Sequence, residues 1–267
     1  MLTRLLPKRS LSDESSRWFR LVTAARKFAS GWSSQSRTAP PATSATNPLQ
    51  EYFDSHAQGR GIWKWRHYFE VYHRHLAKFV GKSPSVLEIG VYSGGSIEMW
   101  QTYFGAGSTI HGVDIEPACR SYESENVRIH IGDQADRDFW KRFRAQVPRL
   151  DVIIDDGGHT QQQQIVTLEE LLPHLAPGGV YVCEDIHGVE NGFLHYLNGL
   201  CNSLSAFDPI ENESDAERRI TSRATPFQAA VHSVHVYPLM CVIERTDVPV
   251  SELVAPKHGT HWQPFLH

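Results

Sequence analysis

The sequence is poor in cysteine and in long apolar runs, and each shortage excludes a class of protein. Its four cysteines show no CxxC or other metal-binding spacing, and two of them lie inside apolar runs. We therefore predict buried free thiols in a reducing compartment rather than a disulfide framework or a zinc site. No run reaches the roughly 18 apolar residues that a membrane-spanning helix needs, so we predict no transmembrane segment.

A basic surface is also lacking in the main part of the chain. Residues 1–50 carry eight lysines and arginines against Asp13 and Glu14, a net charge of +6, so that residues 51–267 carry −10 and the whole chain −4. Binding to nucleic acid depends on basic side chains that neutralise phosphates. We therefore predict that the protein has no nucleic-acid partner.

The first 50 residues differ from the rest in composition. They contain TAPPATSATNP (38–48), which is typical of a flexible linker, and a pattern between residues 15 and 32 that favours a basic amphipathic helix. Three interpretations stay open: contact with an anionic membrane or a partner, a transit peptide, or a solvated extension. We predict a flexible extension over residues 1–50 and one folded domain over residues 51–267. The expected location is cytoplasmic, with peripheral membrane contact or organellar targeting left open by the extension.

After residue 59, short apolar runs alternate with helical patterns. This alternation predicts a doubly wound α/β domain with a mostly parallel sheet and helices on both faces. Residues 227–245 read as two strands joined at Pro238, an antiparallel hairpin that brings the sheet to seven strands. Residues 203–226 are polar and predict a long loop with one short helix. The predicted parallel strands are SVLEIG (85–90), STIHGVDI (108–115), VRIHIGD (127–133), LDVIID (150–155) and VYVCED (180–185).

Acidic residues stand at or near the end of every predicted parallel strand. In open α/β sheets the ligand binds beyond these carboxyl ends. Scattered surface acids would not follow strand ends so regularly, and we therefore expect them to line one site. They are Glu88, Asp114, Asp133, the pair Asp155 and Asp156, and the pair Glu184 and Asp185.

A glycine-rich turn follows the first strand. Gly90, Gly94 and Gly95 form GxxxGG rather than GxGxxG, and such glycines let the backbone approach a ligand closely. The turn alone does not distinguish NAD, FAD, nucleotides and S-adenosylmethionine. Glu88 disfavours a pyrophosphate and suits a cationic or amine-bearing ligand. Asp114 either accepts hydrogen bonds from ribose hydroxyls or caps a helix.

Five segments, in this order, resemble those of class I S-adenosylmethionine-dependent methyltransferases: VLEIGVYSGGSIEMW, IHGVDIEP, IHIGDQAD, DVIIDDGGHT and GGVYVCEDIHG. The resemblance is more specific to the macrocin- and mycinamicin-type sugar O-methyltransferases and their cephalosporin-hydroxylase-like relatives. It implies S-adenosyl-L-methionine as the cofactor. The implied cofactor-binding residues are Glu88, Gly90, Ser93, Gly94 and Gly95 around the methionine part, Asp114 at the ribose, and Asp133 and Gln134 near the adenine.

The motif DDGGH and the following strand end supply the second part of the predicted site. Asp156, Glu184 and Asp185 converge at neighbouring strand ends, so they need a cation among them unless they act as helix caps or solvated acids. Oxygen ligands suit Mg²⁺, with Mn²⁺ as the alternative, and the resemblance implies a metal at these positions. By strand alternation Asp155 points to the opposite face, where we expect it to support the cofactor side or the backbone.

His159, three residues beyond Asp156, is the predicted general base. The ordinary pKa of histidine, near 6.5, suits proton removal from a hydroxyl, and coordination of that hydroxyl to a divalent cation stabilises its alkoxide. His187 is either a support for the metal ligands or an ordinary loop residue. One further group either covers the cofactor and acceptor, as the resemblance implies, or belongs to the core: Lys64, Trp65, His67 and Tyr68.

These observations predict a divalent-metal-dependent O-methyltransferase that acts on a hydroxyl of a sugar, a glycan or another hydroxylated small molecule. Two alternatives stay open, an NAD(P)-type Rossmann oxidoreductase and a non-catalytic cofactor-binding or assembly protein. The loops do not identify the acceptor. Since relatives of the resembled family often oligomerise, a homo-oligomer also stays open.

Overall fold

The computed structural model describes residues 11–32, 47–211 and 219–259. The chain divides into two units, Met1–Ala45 and Thr46–His267. In the first unit, helix α1 (Leu11–Ser30) confirms the predicted helix and leaves large apolar side chains exposed. The predicted linker, apart from its last two residues, lies outside the described residues. No helix within the described ranges has the length and apolarity to cross a bilayer.

Seven strands of the second unit form one sheet. In the part of this unit that the structure describes, the strands are β1 (Ser85–Ile89), β2 (Thr109–Asp114), β3 (Val127–Ile131), β4 (Leu150–Asp155), β5 (Leu175–Cys183), β6 (Arg219–Arg223), β7 (Val231–Tyr237), β8 (Met240–Arg245) and β9 (Glu252–Pro256). The sheet order is β3–β2–β1–β4–β5–β8–β7. Neighbours among β1 to β5 are parallel, whereas β8 is antiparallel to both β5 and β7. The predicted doubly wound sheet with an antiparallel hairpin is therefore confirmed.

Two hydrophobic cores lie on the two faces of this sheet. Side chains alternate along each strand, so Ile154 of β4 belongs to the first core and Ile153 to the second. By the same alternation Glu88, Asp156 and Glu184 continue the first face. The cysteines are free and three of the four are buried, as predicted. The first core is covered by α2 (Pro48–Ser55), α3 (Tyr68–Leu76) and α4 (Gly95–Phe104), and the second by α5 (Arg137–Gln146), α6 (Gln161–Leu171) and α7 (Gly192–Leu204).

Residues 203–226 differ from the predicted loop with one short helix. Strand β6 pairs with β9 in a separate two-stranded antiparallel sheet, with Ile220 opposite Ala255. A short helix, α8 (Pro226–Ala230), follows, so the first hairpin strand begins at Val231 rather than near residue 227. The polar composition gave no sign of β6, because its partner strand lies far along the chain.

Candidate active site

A cavity of about 590 Å³ opens at the carboxyl ends of the parallel strands, where the sequence places its strand-end acids. Its wall includes the glycine-rich turn, the ends of β2 and β4, and the segment before α3. Most predicted site residues line it: Gly90, Ser93, Asp114, Asp133, Gln134, Asp156, His159, Glu184 and Asp185. The predicted residues that are not among its lining are Glu88, Gly94, Gly95 and Asp155.

Asp114 holds the glycine-rich turn. Its Oδ2 accepts hydrogen bonds from the backbone N of Val91 (2.9 Å) and of Tyr92 (3.0 Å), and its Oδ1 accepts one from the backbone N of Glu116 (2.9 Å). Tyr92 has a φ of 48°, a left-handed conformation that a tyrosine rarely adopts. Asp114 therefore shapes the turn through its backbone contacts, while it also lines the cavity where a ribose was predicted.

The glycines of this turn lie where another segment passes closely. A Cβ on Gly90 would lie 2.0 Å from the carbonyl oxygen of Asp156, and one on Gly95 would lie 2.3 Å from that of Arg60. Gly94 has a φ of 74°, and a Cβ on it would lie 2.9 Å from the ring of Tyr122. Glycine at these positions lets the turn pack against neighbouring segments without a clash. Gly94 and Gly95 serve this packing and do not line the cavity.

The strand-end acids on the first face surround a lysine. Lys64 Nζ lies 2.6 Å from Asp156 Oδ2, 3.0 and 3.2 Å from the two carboxylate oxygens of Glu184, and 3.5 Å from Glu88 Oε1. The side chains of Lys64, Glu184 and Glu88 are almost fully buried. Glu88 also accepts a hydrogen bond from Trp100 Nε1 (3.1 Å). A side chain of the protein thus stands among the acids for which the sequence predicts a metal cation.

Burial and charge oppose each other in this cluster. Burial raises the pKa of Glu184 and of Glu88, and the charge of Asp156 adds to both rises, whereas the ammonium of Lys64 opposes them. Burial alone would lower the pKa of Lys64, but the surrounding carboxylates raise it well above its ordinary value. Lys64 is therefore a cation at neutral pH, and it stabilises acids that would otherwise repel each other.

His159 faces the remaining oxygens of two acids. Because Asp156 uses Oδ2 to contact the lysine, its Oδ1 is left 4.0 Å from His159 Nε2. Asp185 Oδ1 accepts hydrogen bonds from Trp65 Nε1 and from the Tyr68 hydroxyl, both at 2.9 Å. Its Oδ2 lies 3.6 Å from His159 Nε2. Each carboxylate thus has one oxygen held by a protein donor and one directed towards the imidazole.

Backbone strain accompanies this arrangement. His159 and Asp185 have φ angles of 55° and 54°, a left-handed conformation that costs free energy in residues other than glycine. The backbone N of Asp185 also donates a hydrogen bond to the Tyr68 hydroxyl (3.2 Å), so helix α3 holds the strained loop after β5. Strain of this kind concentrates at functional sites, which agrees with a working role for both residues.

Ligand atoms of Asp156, His159 and Asp185 all lie within 4.8 Å of one another. The two inward carboxylate oxygens are the hard donors that Mg²⁺ and Mn²⁺ prefer, so this group fits a divalent cation. Glu184 is held differently, since both of its oxygens lie on Lys64. The structure therefore brings together two residues of the predicted metal set and places the third against the lysine.

The assignment of Asp155 to cofactor binding needs correction. Its buried side chain faces the second core, where Oδ2 accepts a hydrogen bond from the Tyr181 hydroxyl (2.9 Å) and Oδ1 accepts one from Gln134 Nε2 (3.0 Å). Gln134 Oε1 in turn accepts a hydrogen bond from the backbone N of Gly158 (2.6 Å). Burial raises the pKa of Asp155 to about 7. Asp155 thus supports the DDGGH loop through Gln134. It lies on the sheet face opposite to that of Asp156, as strand alternation predicted.

The segment before α3, together with the first residue of that helix, holds the acids of the site more closely than its sequence indicated. Lys64, Trp65 and Tyr68 contact these acids, whereas His67 turns away, with Nε2 2.9 Å from the carbonyl oxygen of Pro238. The only sequence signal was the resemblance of this segment to a covering segment in relatives. A charged residue beside aromatic ones gives no local sign that its partners lie 92 and 120 residues away.

Comparison with known proteins finds similarity to methyltransferases. Residues 87–186 match the family profile of a methyltransferase domain. One relative is the 8-demethyl-8-alpha-L-rhamnosyl tetracenomycin-C 2'-O-methyltransferase of Streptomyces olivaceus, 28% identical over 201 residues, which are 70% of this chain and 52% of the relative. Another is the mycinamicin VI 2''-O-methyltransferase of Micromonospora griseorubida, 37% identical over 123 residues, which are 43% of this chain and 30% of the relative. The chain thus spans about half the length, or less, of these relatives.

A solved structure of the MycE methyltransferase from the mycinamycin biosynthetic pathway, in complex with Mg, SAH and mycinamycin VI, has the same fold. The TM-score is 0.61 at 24% identity, over 74% of this chain and 53% of that chain. The chain therefore shares its overall fold with a solved methyltransferase structure. Residues 87–186 are thus similar to the methyltransferase domain family, and the fold of the chain is that of the class I S-adenosylmethionine-dependent methyltransferases that its motifs resemble.

Proposed function

We propose that the protein transfers the methyl group of S-adenosyl-L-methionine to a hydroxyl of a sugar, a glycan or a glycosylated small molecule, with the help of Mg²⁺ or Mn²⁺. The observation that carries the proposal is the position of His159 beside the inward oxygens of Asp156 and Asp185, in a cavity bounded by the glycine-rich turn. The relatives described above are named as O-methyltransferases, and the MycE structure holds Mg and SAH.

In this proposal His159 accepts the proton of the acceptor hydroxyl at Nε2. Asp185 Oδ2, 3.6 Å away, keeps this nitrogen directed into the site. When bound, the cofactor supplies an electrophilic sulfonium methyl group and a divalent cation supplies Lewis acidity towards the hydroxyl. Asp156 Oδ1 and Asp185 Oδ2 are the oxygens that would hold the cation. Glu184 would join them only if Lys64 moved away from its carboxylate.

The mouth of the cavity suits an acceptor with an apolar ring face. Trp63 is 85% exposed and Tyr92 is 71% exposed, and both line the cavity. Aromatic rings in a binding site offer flat apolar surfaces, on which the C–H groups of a sugar ring can pack. This feature supports a glycosylated acceptor within the proposed class.

A transfer assay with labelled S-adenosylmethionine and a panel of glycosides tests the proposal. We expect EDTA to abolish turnover and added Mg²⁺ to restore it. We expect His159→Asn to lower kcat by about 10²- to 10⁴-fold with unchanged affinity for S-adenosylhomocysteine. Asparagine tolerates the left-handed conformation at this position, and His232→Asn, at an exposed position of β7, is the matched control.

Three outcomes would contradict parts of the proposal. Turnover that is indifferent both to chelation and to Asp185→Asn would overturn the role of the metal. Binding of NAD(P) without binding of S-adenosylhomocysteine in calorimetry would favour the oxidoreductase alternative, which Glu88 and the GxxxGG turn disfavour. Cofactor binding without transfer to any hydroxyl in a broad panel would favour the non-catalytic alternative.

We further propose that α1 contacts anionic membranes. Leu21 and Phe28 lie on one helix face and are 62% and 72% exposed, and Trp32, just beyond the helix, is 76% exposed. Arg20 and Lys27 are exposed on the remaining helix surface. We expect the full-length protein to sediment with phosphatidylglycerol vesicles and not with phosphatidylcholine vesicles. The double variant Leu21→Ser, Phe28→Ser should lose this binding, and Thr23→Ser, an exposed position of the same helix, should keep it. Absence of the full-length protein from both vesicle pellets would overturn the proposal.

Cytoplasmic location and homo-oligomerisation also stay predictions of the sequence. Light scattering of the full-length protein measures the oligomeric state, and fractionation of cells that make the protein measures its location.

A further inference from the structure

A second cluster of metal-ligand side chains lies where α3 packs against the β7–β8 hairpin. His75 of α3, His235 of β7 and Glu244 of β8 each present one ligand atom, and these atoms all lie within 4.8 Å of one another. On the hairpin, Glu244 pairs with Ser233, two residues from His235, so both side chains point to the face that α3 covers. Three separate elements thus direct their side chains to one point.

This cluster is distinct from the active site. None of its three residues is among those that line the cavity at the strand ends. Glu244 pairs with Val180 on β5, which is four residues before Glu184 and therefore roughly 13 Å away along the strand. Strand β7 is the edge of the sheet, so the cluster lies near the surface, with the Glu244 side chain 20% exposed.

Each of the two histidines has one ring nitrogen beside a hydroxyl oxygen. His75 Nε2 lies 2.8 Å from the Tyr237 hydroxyl, which leaves Nδ1 for the centre of the cluster, 2.8 Å from Glu244 Oε1. His235 Nε2 lies 2.9 Å from Ser233 Oγ, and the two imidazole rings are 4.7 Å apart. Histidines that bind a metal use one ring nitrogen and commonly direct the other to an oxygen partner, and this arrangement has that form.

We propose that His75, His235 and Glu244 form a binding site for a transition-metal dication of the Zn²⁺ class, separate from the active site. Two imidazoles and one carboxylate suit Zn²⁺ better than Mg²⁺, which prefers oxygen ligands, and water completes the fourth position. The ion would join α3 to the β7–β8 hairpin. Since α3 carries Tyr68, which holds Asp185, the site would stabilise the element that supports the catalytic loop.

Zinc titration of the full-length protein against a chromogenic chelator tests the site. Zn²⁺ can also reach the active-site acids, so the readout is the difference between variants. We expect His235→Asn and Glu244→Gln each to bind one equivalent of Zn²⁺ fewer than the unsubstituted protein, and His232→Asn, at an exposed position of β7 that is not part of the cluster, to bind the same number. We also expect Zn²⁺ to raise the Tm of the unsubstituted protein more than that of His235→Asn.

Two of the variants guard against misinterpretation of the zinc titration. Glu244→Gln keeps the size of the side chain and an oxygen acceptor for His75, so a folded variant is available if His235→Asn unfolds. In Asp185→Asn, which weakens the active-site group, the equivalent that depends on His235 should remain. Equal zinc binding by the unsubstituted protein and both cluster variants would overturn the proposal and leave the cluster a hydrogen-bonded contact only. None of these outcomes depends on methyl transfer.

Discussion

Lys64 joins the ends of three neighbouring strands. Its ammonium contacts Glu88 near the end of β1 and the acids that follow β4 and β5, and the side chain is almost fully buried. Removal of one partner from a buried charge cluster leaves the others uncompensated, which costs more than the loss of an exposed ion pair. The lysine is therefore a structural requirement for the acids of the candidate site.

We expect Lys64→Met to lower the free energy of unfolding by about 3–5 kcal/mol, because the buried acids lose their cation. Chemical denaturation measures this change, and Lys82→Met, at an exposed position, should stay within about 0.5 kcal/mol of the unsubstituted protein. Mg²⁺ should recover part of the loss in Lys64→Met only, since a dication can replace the ammonium. A stability change no larger than that of the control would show that Lys64 is not needed among the acids.

His111 on β2 gives a pH-dependent prediction away from the candidate site. Burial, together with the neighbouring His130 and Arg128, lowers the pKa of His111 to about 4, whereas the unfolded chain has an ordinary histidine pKa near 6.5. Its contribution to stability is full above pH 6.5. The contribution is lost as the pH falls from 6.5 towards 4, because the unfolded state then binds a proton that the folded state does not bind.

We therefore expect the unfolding free energy of His111→Gln to fall less steeply over this pH window than that of the unsubstituted protein. The difference in slope should approach about 1.4 kcal/mol per pH unit. Denaturation curves at several pH values measure it, with the exposed His232→Gln as the control. Parallel pH profiles for His111→Gln and the unsubstituted protein would contradict the prediction.

At the scale of elements, the turn after β1 and the loop after β4 depend on each other. Gly90 and Gly105 both have left-handed φ angles, 88° and 96°, so alanine is strained at either position. Only at Gly90 would the new Cβ also meet a neighbour, the Asp156 carbonyl oxygen at 2.0 Å, whereas nothing lies within 4 Å at Gly105. A comparison of alanine substitutions at Gly90 and Gly105 therefore distinguishes the effect of backbone strain from the effect of displacing the DDGGH loop.

We expect Gly90→Ala to weaken binding of S-adenosylhomocysteine at least about tenfold and to lower turnover by up to about 100-fold, because the loop that carries Asp156 and His159 must move. Gly105→Ala should lose about 1–2 kcal/mol of stability with unchanged binding. Calorimetric titration and thermal unfolding of both variants check this. Equal binding by the two variants would mean that the contact at Gly90 does not position the site.

At the scale of the whole molecule, the boundary of the folded domain is defined by Asn47. Its Oδ1 accepts hydrogen bonds from the first turn of α2, and its Nδ2 donates one to the carbonyl oxygen of Phe69 (2.8 Å). In the same helix, Leu49 is fully buried in the first core. The whole of helix α2 therefore belongs to the domain, including its first three residues, which precede the predicted boundary after residue 50.

We expect a protein that begins at Thr46 to keep the Tm and the methyl-transfer activity of the full-length chain. A protein that begins at His56 should lose at least about 2–5 kcal/mol, the usual cost of removing a buried leucine. Differential scanning calorimetry compares the two. A large loss of stability in the protein that begins at Thr46 would show that residues 1–45 contribute to the fold of the domain.

The periodic pattern of the sequence was sufficient for the parallel strands, the hairpin and the acids at the strand ends. Each of these depends on local spacing: apolar runs form strands, and acids placed after them must meet at one edge of a parallel sheet. Strand alternation also assigned Asp155 to the opposite face from Asp156. These features were predictable because neighbours along the chain determine them.

Pairings between distant segments were decided only by the tertiary structure. The partners of Lys64 lie 92 and 120 residues away, β6 finds its partner in β9, and Glu184 faces the lysine rather than an open position. No local pattern specifies which oxygen of Asp156 or Asp185 is held by a donor and which faces His159. The sequence by itself determined which acids reach the cavity edge, whereas three-dimensional packing decided what each acid contacts, because burial forces every charge to find a partner wherever the fold supplies one.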